Sequence, residues 1–162
     1  MSIVSNTTPL IGLASIRRFD LLRKLFSEVH IPHAVYDEAV VAGREEGGAK
    51  REVSSASWIE TSRVQDRLAV EVLLDELDRG EAETIVLARE LNADWVLMDE
   101  KRGRRKLSQL GMRKLGTLGV LLKAKEVGIL QRIRPDVERL RSQGFSISQP
   151  VVDAVLKQAG EE

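Results

Sequence analysis

Short apolar runs alternate with longer amphipathic stretches along this chain. Ile3-Val4 predicts a first short strand. Leu10, Ile11, Leu13 and Ala14 then predict a mostly buried helix. Thr7 or Thr8 would cap it, with Pro9 at its first position, where a missing N–H costs nothing. Leu21, Leu22, Leu25 and Phe26 lie at helical spacing and predict a helix over 19–26. Residues 28–31 predict a second strand. Pro32 opens a helix to about Val41, carrying apolar Val35, Ala39 and Val40. The polar, Gly/Ser-rich stretch 43–57 predicts a mobile loop. A short strand follows over 58–61. An amphipathic helix over 65–77 should turn Leu68, Val72, Leu73 and Leu77 inward. Asp78-Arg79-Gly80 breaks it.

The clearest unit comes next. Residues 81–91 read as a helix, 92–94 as a turn, and 95–98 as a continuous apolar strand of the kind buried on both faces of a parallel sheet. A helix over 101–110 stops at Gly111, and 112–115 form another strand. Helices follow from Thr117 to about Val127, from Pro135 or Asp136 to about Ser142, and from Pro150 to Ala159, with 145–147 extended between the last two. Strands alternating with helices predict an α/β fold with a parallel sheet and right-handed crossovers. Such sheets bind ligands beyond the carboxyl ends of their strands, near a switch point. Asn6 and Asp99 each fall just past a strand of this kind.

At 162 residues the chain suits one domain, with 129–162 as a C-terminal helical extension. The absence of cysteine excludes disulfides, zinc–thiolate sites and thiol nucleophiles. No run approaches the roughly 18 apolar residues of a membrane span. The start of the chain lacks the basic and apolar regions of a signal peptide, and a cytoplasmic location is expected. Net charge is zero, yet Lys101, Arg102, Arg104, Arg105 and Lys106 place five cations within six residues, close behind Asp99. A basic patch beside an acidic pocket suits a substrate with a polyanionic backbone and one reacting phosphate.

Acids therefore carry the candidate chemistry: Glu38, Glu81, Glu83 and Asp99, with Asn6 where a fifth acid would stand. Carboxylates gathered at one point stay ionised together when a cation lies among them. Mg²⁺ or Mn²⁺ suits such oxygen ligands. Glu81 in a first helical turn is also explained by the helix dipole alone. Glu83, two residues on, lies about 200° around the helix from Glu81, so the two cannot both face one pocket of a regular helix. Glu38 also reads as part of a solvated helix face, and Asn6 as a turn or cap residue. His30 and His33 have no acid or serine to pair with and read as structural. Nucleotide loops and the nucleophile elbow are absent.

The run Val4-Ser5-Asn6-Thr7-Thr8-Pro9-Leu10-Ile11 resembles the opening motif of PIN domains. The likeness continues through Ile31 to Glu38, Gly80 to Ala88, and Val96-Leu97-Met98-Asp99-Glu100. The stretches 116–124 and 144–148 resemble the DUF3368 branch of that family. The resemblance implies a three-layer α/β/α fold on a mainly parallel five-stranded sheet. It implies a Mg²⁺- or Mn²⁺-dependent ribonuclease, with VapC-type toxins and their small antitoxins among the relatives, and a homodimer. Carried over by position, Asn6 stands at the first-strand Asp, and Glu38, Glu81 (with Glu83 beside it) and Asp99 at the other acids. Thr7 or Thr8 is the nearby hydroxyl. Asn6 removes one negative charge from that set.

The leading expectation is an RNA phosphodiesterase, toxin-like, in which Glu38, Glu81 and Asp99 hold the ion and Asn6 orients water or phosphate. Thr7, Lys101, Arg102, Arg104 and Arg105 grip the RNA. A second reading is a catalytically weak or inert nucleic-acid- or protein-binding module, prompted by Asn6. A third, a phosphatase or receiver-like α/β domain with Asp99 as phosphate acceptor, lacks the accompanying lysine and Asp-x-Asp pattern.

Overall fold

Ile3 and Val4 are both fully buried, yet they join different apolar clusters on opposite faces of a sheet. Successive strand side chains alternate in direction, so a strand covered by helices on both sides must be apolar throughout. The computed structural model describes residues 1–44 and 46–162. The elements are β1 (Ser2–Ser5), α1 (Thr7–Ser15), α2 (Leu21–Leu25), β2 (Glu28–Pro32) and α3 (His33–Tyr36), which continues as a π-helical turn over Asp37–Val41. Then come α4 (Lys50–Ser55), β3 (Ile59–Ser62), α5 (Arg67–Leu73), α6 (Arg79–Leu91), β4 (Trp95–Leu97) and α7 (Lys101–Gln109). The chain ends with β5 (Lys114–Leu115), α8 (Thr117–Glu126), α9 (Arg134–Ser142) and α10 (Gln149–Gln158).

The five strands are all parallel, in the order β3-β2-β1-β4-β5. The chain winds outward from β1 to β3, then crosses to the far side of β1 to begin β4. Neighbours β1 and β4 therefore flank the topological switch point, where a parallel sheet opens a crevice. One face carries the cluster built from α1, α2, α8, α9 and α10 around Ile3, Ile31 and Leu97. The other carries α5, α6 and α7 around Val4, Val96 and Met98. This is a three-layer α/β/α fold. Among the described residues no helix is long and apolar enough to cross a membrane.

Val137, Leu140, Val152 and Leu156 of the C-terminal helices share the first cluster. The Glu161 carboxylate ties that region down, accepting from the Ile133 and Arg134 amides at 2.9 and 3.0 Å and from Lys125 Nζ at 2.9 Å. Val120 and Leu121 of α8 are fully buried core.

Two local expectations are corrected. The stretch 43–57 contains α4, with Ala49 and Val53 buried one helical turn apart; Glu45, in the same stretch, lies outside the described residues. Those two apolar side chains, inconspicuous against the surrounding serines and glycines, anchor the helix to the core. The helix expected over 65–77 is shorter and differently phased: Leu68 and Val72 are exposed, while Val70 and Leu77 are buried. Leu68, Ala69, Val70, Val72 and Leu73 surround the helix with apolar positions, so spacing alone does not choose the inward face. Pro32 ends β2 opposite Ser62 and is also the N-cap of α3, so the expected helix to Val41 starts directly after it.

Candidate active site

The end of β1 delivers Asn6, which is 4% exposed. Its backbone N–H donates to Leu97 O at 3.0 Å, so β1 and β4 run together up to this residue. Its side-chain amide donates to Oε2 of Glu100 at 3.1 Å and lies 3.4 Å from Met98 Sδ. The next two residues open α1. Thr7 Oγ1 donates to Glu38 Oε2 at 3.0 Å, and Thr8 Oγ1 donates to Glu100 Oε1.

Glu38 arrives from the π-helical turn after α3, whose extra residue per turn changes the direction its side chains take. Gly80, at the start of α6, makes room for it. A Cβ on Gly80 would lie 2.1 Å from Glu38 Oε1 and 3.3 Å from Asn6 Oδ1. Glu38 and Asn6 thus share a cradle that a side chain on Gly80 would fill.

Asp78 caps α6 in a reciprocal box: its Oδ1 accepts from Glu81 N at 2.8 Å, and Glu81 Oε1 accepts from Asp78 N at 3.0 Å. The capping explanation of Glu81 therefore holds for one oxygen. The other, Oε2, is buried and makes no hydrogen bond within the protein, and Glu81 is 1% exposed. A buried carboxylate oxygen left without a partner is costly unless something else satisfies it.

Burial pushes the Glu38 carboxyl above its ordinary value; the Thr7 hydroxyl opposes this, and the carboxylates of Asp78, Glu100 and Glu81 add to it. Burial likewise raises Glu81, against the Asp78 amide bond, with Asp78 and Glu100 reinforcing and Arg102 opposing. Asp78 and Glu100 thus act on both Glu38 and Glu81.

Asp99 stands behind it. Its Oδ1 accepts from Thr117 N at 2.8 Å and its Oδ2 from Thr117 Oγ1 at 2.6 Å, which fastens it to the start of α8. Burial raises its carboxyl, the Thr117 bonds lower it, Glu100 raises it and Arg104 lowers it. Glu83, expected from the sequence as a further metal ligand, is engaged elsewhere instead. Its Oε1 accepts from Ala34 N at 3.1 Å, and Arg67 Nη1 lies 3.1 Å from Oε2, so both oxygens serve the packing of α3 and α5 on α6.

Of the cations on α7, Lys101, Arg102 and Arg105 are exposed. Arg104 bends back to donate to Met98 O at 2.9 Å, and Lys106 pairs with Glu76 at 2.7 Å. Arg102 is close enough to favour ionised Glu81. Glu100 and Asp78 are the acids that sequence reasoning missed. The tandem Asp99-Glu100 at a strand end was the available signal for one, and an Asp three residues before Glu81, the spacing of a capping box, for the other.

A family model described as PIN domain, DUF3368, matches residues 2–161. The chain belongs to the PIN domain family. No curated protein matches it. PIN domains are in general nucleases that act on nucleic acid with divalent metal ions, and the present fold is of that nuclease type. In this PIN domain the donor set at the β1–β4 switch point is all hard oxygen, with one buried oxygen unpartnered and space kept open by Gly80. That chemistry fits Mg²⁺ or Mn²⁺. Among the described residues, no three carboxylate or histidine side chains already form a metal-binding group, and Thr7, Thr8, Asn6 and Thr117 donate to several of the carboxylate oxygens.

Proposed function

We propose that this PIN domain is a metal-dependent ribonuclease that hydrolyses phosphodiester bonds. The observation that carries the reading is Glu81 Oε2, buried and unpartnered beside the carboxylates of Asp78, Glu38 and Glu100 at the switch point. Glu38 and Glu81 would hold the ion, with Asp99 anchored behind them by Thr117. Bound Mg²⁺ or Mn²⁺ supplies charge neutralisation at phosphorus and a more acidic water. Asn6 presents an amide oxygen toward the Gly80 cradle, where it can accept a hydrogen bond from water. Thr7 keeps Glu38 turned toward the cradle. Lys101, Arg102 and Arg105, exposed on α7, supply the positive surface along which an RNA backbone lies.

Cleavage of a mixed-sequence RNA with Mn²⁺ tests this, comparing wild type with Glu81→Gln and Asp99→Asn. Cleavage by wild type, reduced by orders of magnitude in Glu81→Gln, is the expected result. Equal cleavage by wild type and Glu81→Gln would sink the proposal.

A toxin-like role in the cytoplasm, with a small antitoxin as partner and a second copy of the chain as dimer mate, extends the same reading. Growth arrest on expression, relieved by a co-expressed neighbouring reading frame, is its test. A second reading has its own support: Asn6 is neutral, and no three acids are preassembled among the described residues. On that reading the chain is a weak or inert binding module. It predicts RNA or protein binding without cleavage, and cleavage gained on Asn6→Asp.

A further inference from the structure

Glu100 is the carboxylate that Asn6 holds. The Asn6 amide donates to one of its oxygens at 3.1 Å and the Thr8 hydroxyl to the other. The side chain of Glu100 is thus oriented by residues that follow β1. Its charge raises the carboxyls of Glu38, Glu81 and Asp99 alike. An acid at position 6 would project from the same strand end into the same space.

We propose that Glu100 supplies the negative charge that position 6 lacks, and that Asn6 is a positioning residue that holds Glu100 in the acidic rim. The proposal rests on the nuclease reading and names which residues of this chain complete its site. The amide is then a replacement with a purpose. An Asp at position 6 would face Glu100 at hydrogen-bond distance with no proton between them, and like charges that close repel. An Asn can donate to Glu100 through Nδ2 and still offer Oδ1 to the cradle beside Gly80. The charge has moved from the end of β1 to the residue before α7, and the hydrogen bond between them links the two positions.

The test is a charge exchange between the two positions, read without RNA. Mn²⁺ binding is measured by calorimetry, and the melting temperature of the metal-free protein is followed for wild type, Glu100→Gln, Asn6→Asp and the double variant. Glu100→Gln should weaken Mn²⁺ binding on the order of tenfold. The double variant, with carboxylate and amide interchanged, should recover most of that loss. Asn6→Asp alone should melt lower than wild type at pH 7 without metal, and adding Glu100→Gln should restore the melting temperature. A residue that served packing alone would show no recovery on interchange. If Glu100→Gln does not fold, Thr8→Val, which removes the other donor to Glu100, stands in for it. Mn²⁺ bound equally by wild type and Glu100→Gln, or no recovery in the double variant, would overturn this proposal while leaving the nuclease reading in place. No Mn²⁺ binding by wild type would overturn both.

Discussion

Thr117 grips both oxygens of Asp99, one through its amide at 2.8 Å and the other through its hydroxyl at 2.6 Å. The strand-end acid of β4 is thereby the anchor for the start of α8. An anion at a helix N-terminus is favoured by the dipole and by the unpaired amides there. Removing the hydroxyl with Thr117→Val should destabilise the fold by about 1–2 kcal/mol, because it leaves a largely buried carboxylate oxygen without its donor. Urea unfolding measures this. Cleavage by Thr117→Val should fall with the loss of stability and return when the assay is cooled.

Gly80→Ala separates the fold from the site. Alanine is preferred to glycine in a helix by about 1 kcal/mol. The added Cβ would meet Glu38 Oε1 at 2.1 Å, the far end of a flexible side chain. Glu38 should swing outward, leaving the melting temperature unchanged or raised while Mn²⁺ affinity falls. A variant that binds Mn²⁺ as wild type does would show that Glu38 takes no part.

Acidity gives two opposite signs. The carboxyls of Glu38, Glu81 and Asp99 are all raised, each by burial first. Raised acids favour the folded protein at low pH and disfavour it as pH climbs through their folded values. The metal-free protein should therefore lose stability as pH rises above the ordinary carboxyl range. Mn²⁺, which requires the ionised forms, should bind more tightly over the same interval. Glu161 behaves in the reverse way. Desolvation opposes its ionisation, but the Ile133 amide, the Lys125 ammonium and the Arg134 amide together bring it down to about 2. Its contribution is complete above its unfolded value of 4.5 and is lost as pH falls from there toward about 2. Glu161→Gln should lower the melting temperature at pH 7 by a few degrees and flatten the acid limb of the stability curve below pH 4.5. Thermal melts across the acid and neutral range read both signs.

Arg102→Ala and Arg105→Ala remove exposed charge from α7 while leaving the contacts of Arg104 with Met98 and of Lys106 with Glu76 in place. For every phosphate that no longer meets a cation, the slope of log affinity against log salt should shrink by about 0.7 for single-stranded RNA. Filter binding of a noncleavable RNA at several salt concentrations measures it. A double variant with the wild-type slope would place the RNA elsewhere.

The fold was legible because its strands announce themselves. The segments around Ile3-Val4 and Trp95 to Met98 are apolar through and through, as only doubly covered strands need to be. α4 and the inward face of α5 were not legible, since two buried residues in a polar stretch and an apolar-all-round helix leave spacing without a preference. Glu83 stands in the sequence as a candidate ligand beside Glu81, although helix phase argues against the pair sharing a pocket, and the structure commits its oxygens to Ala34 and Arg67. Glu100 was hidden by its neighbour: two adjacent acids at a strand end point in different directions, and the letters do not say which turns toward β1.

What the amino-acid order determined by itself was periodic and local: which stretches are strands or helices, and that acids stand near strand ends and helix starts. What the tertiary structure alone decided was the partner of each acid. Asn6 and Glu100 are 94 positions apart, and Asp99 and Thr117 are 18 apart. Their meeting depends on how β1 and β4 pair and how α8 packs back, and no local pattern encodes a hydrogen bond made across that pairing.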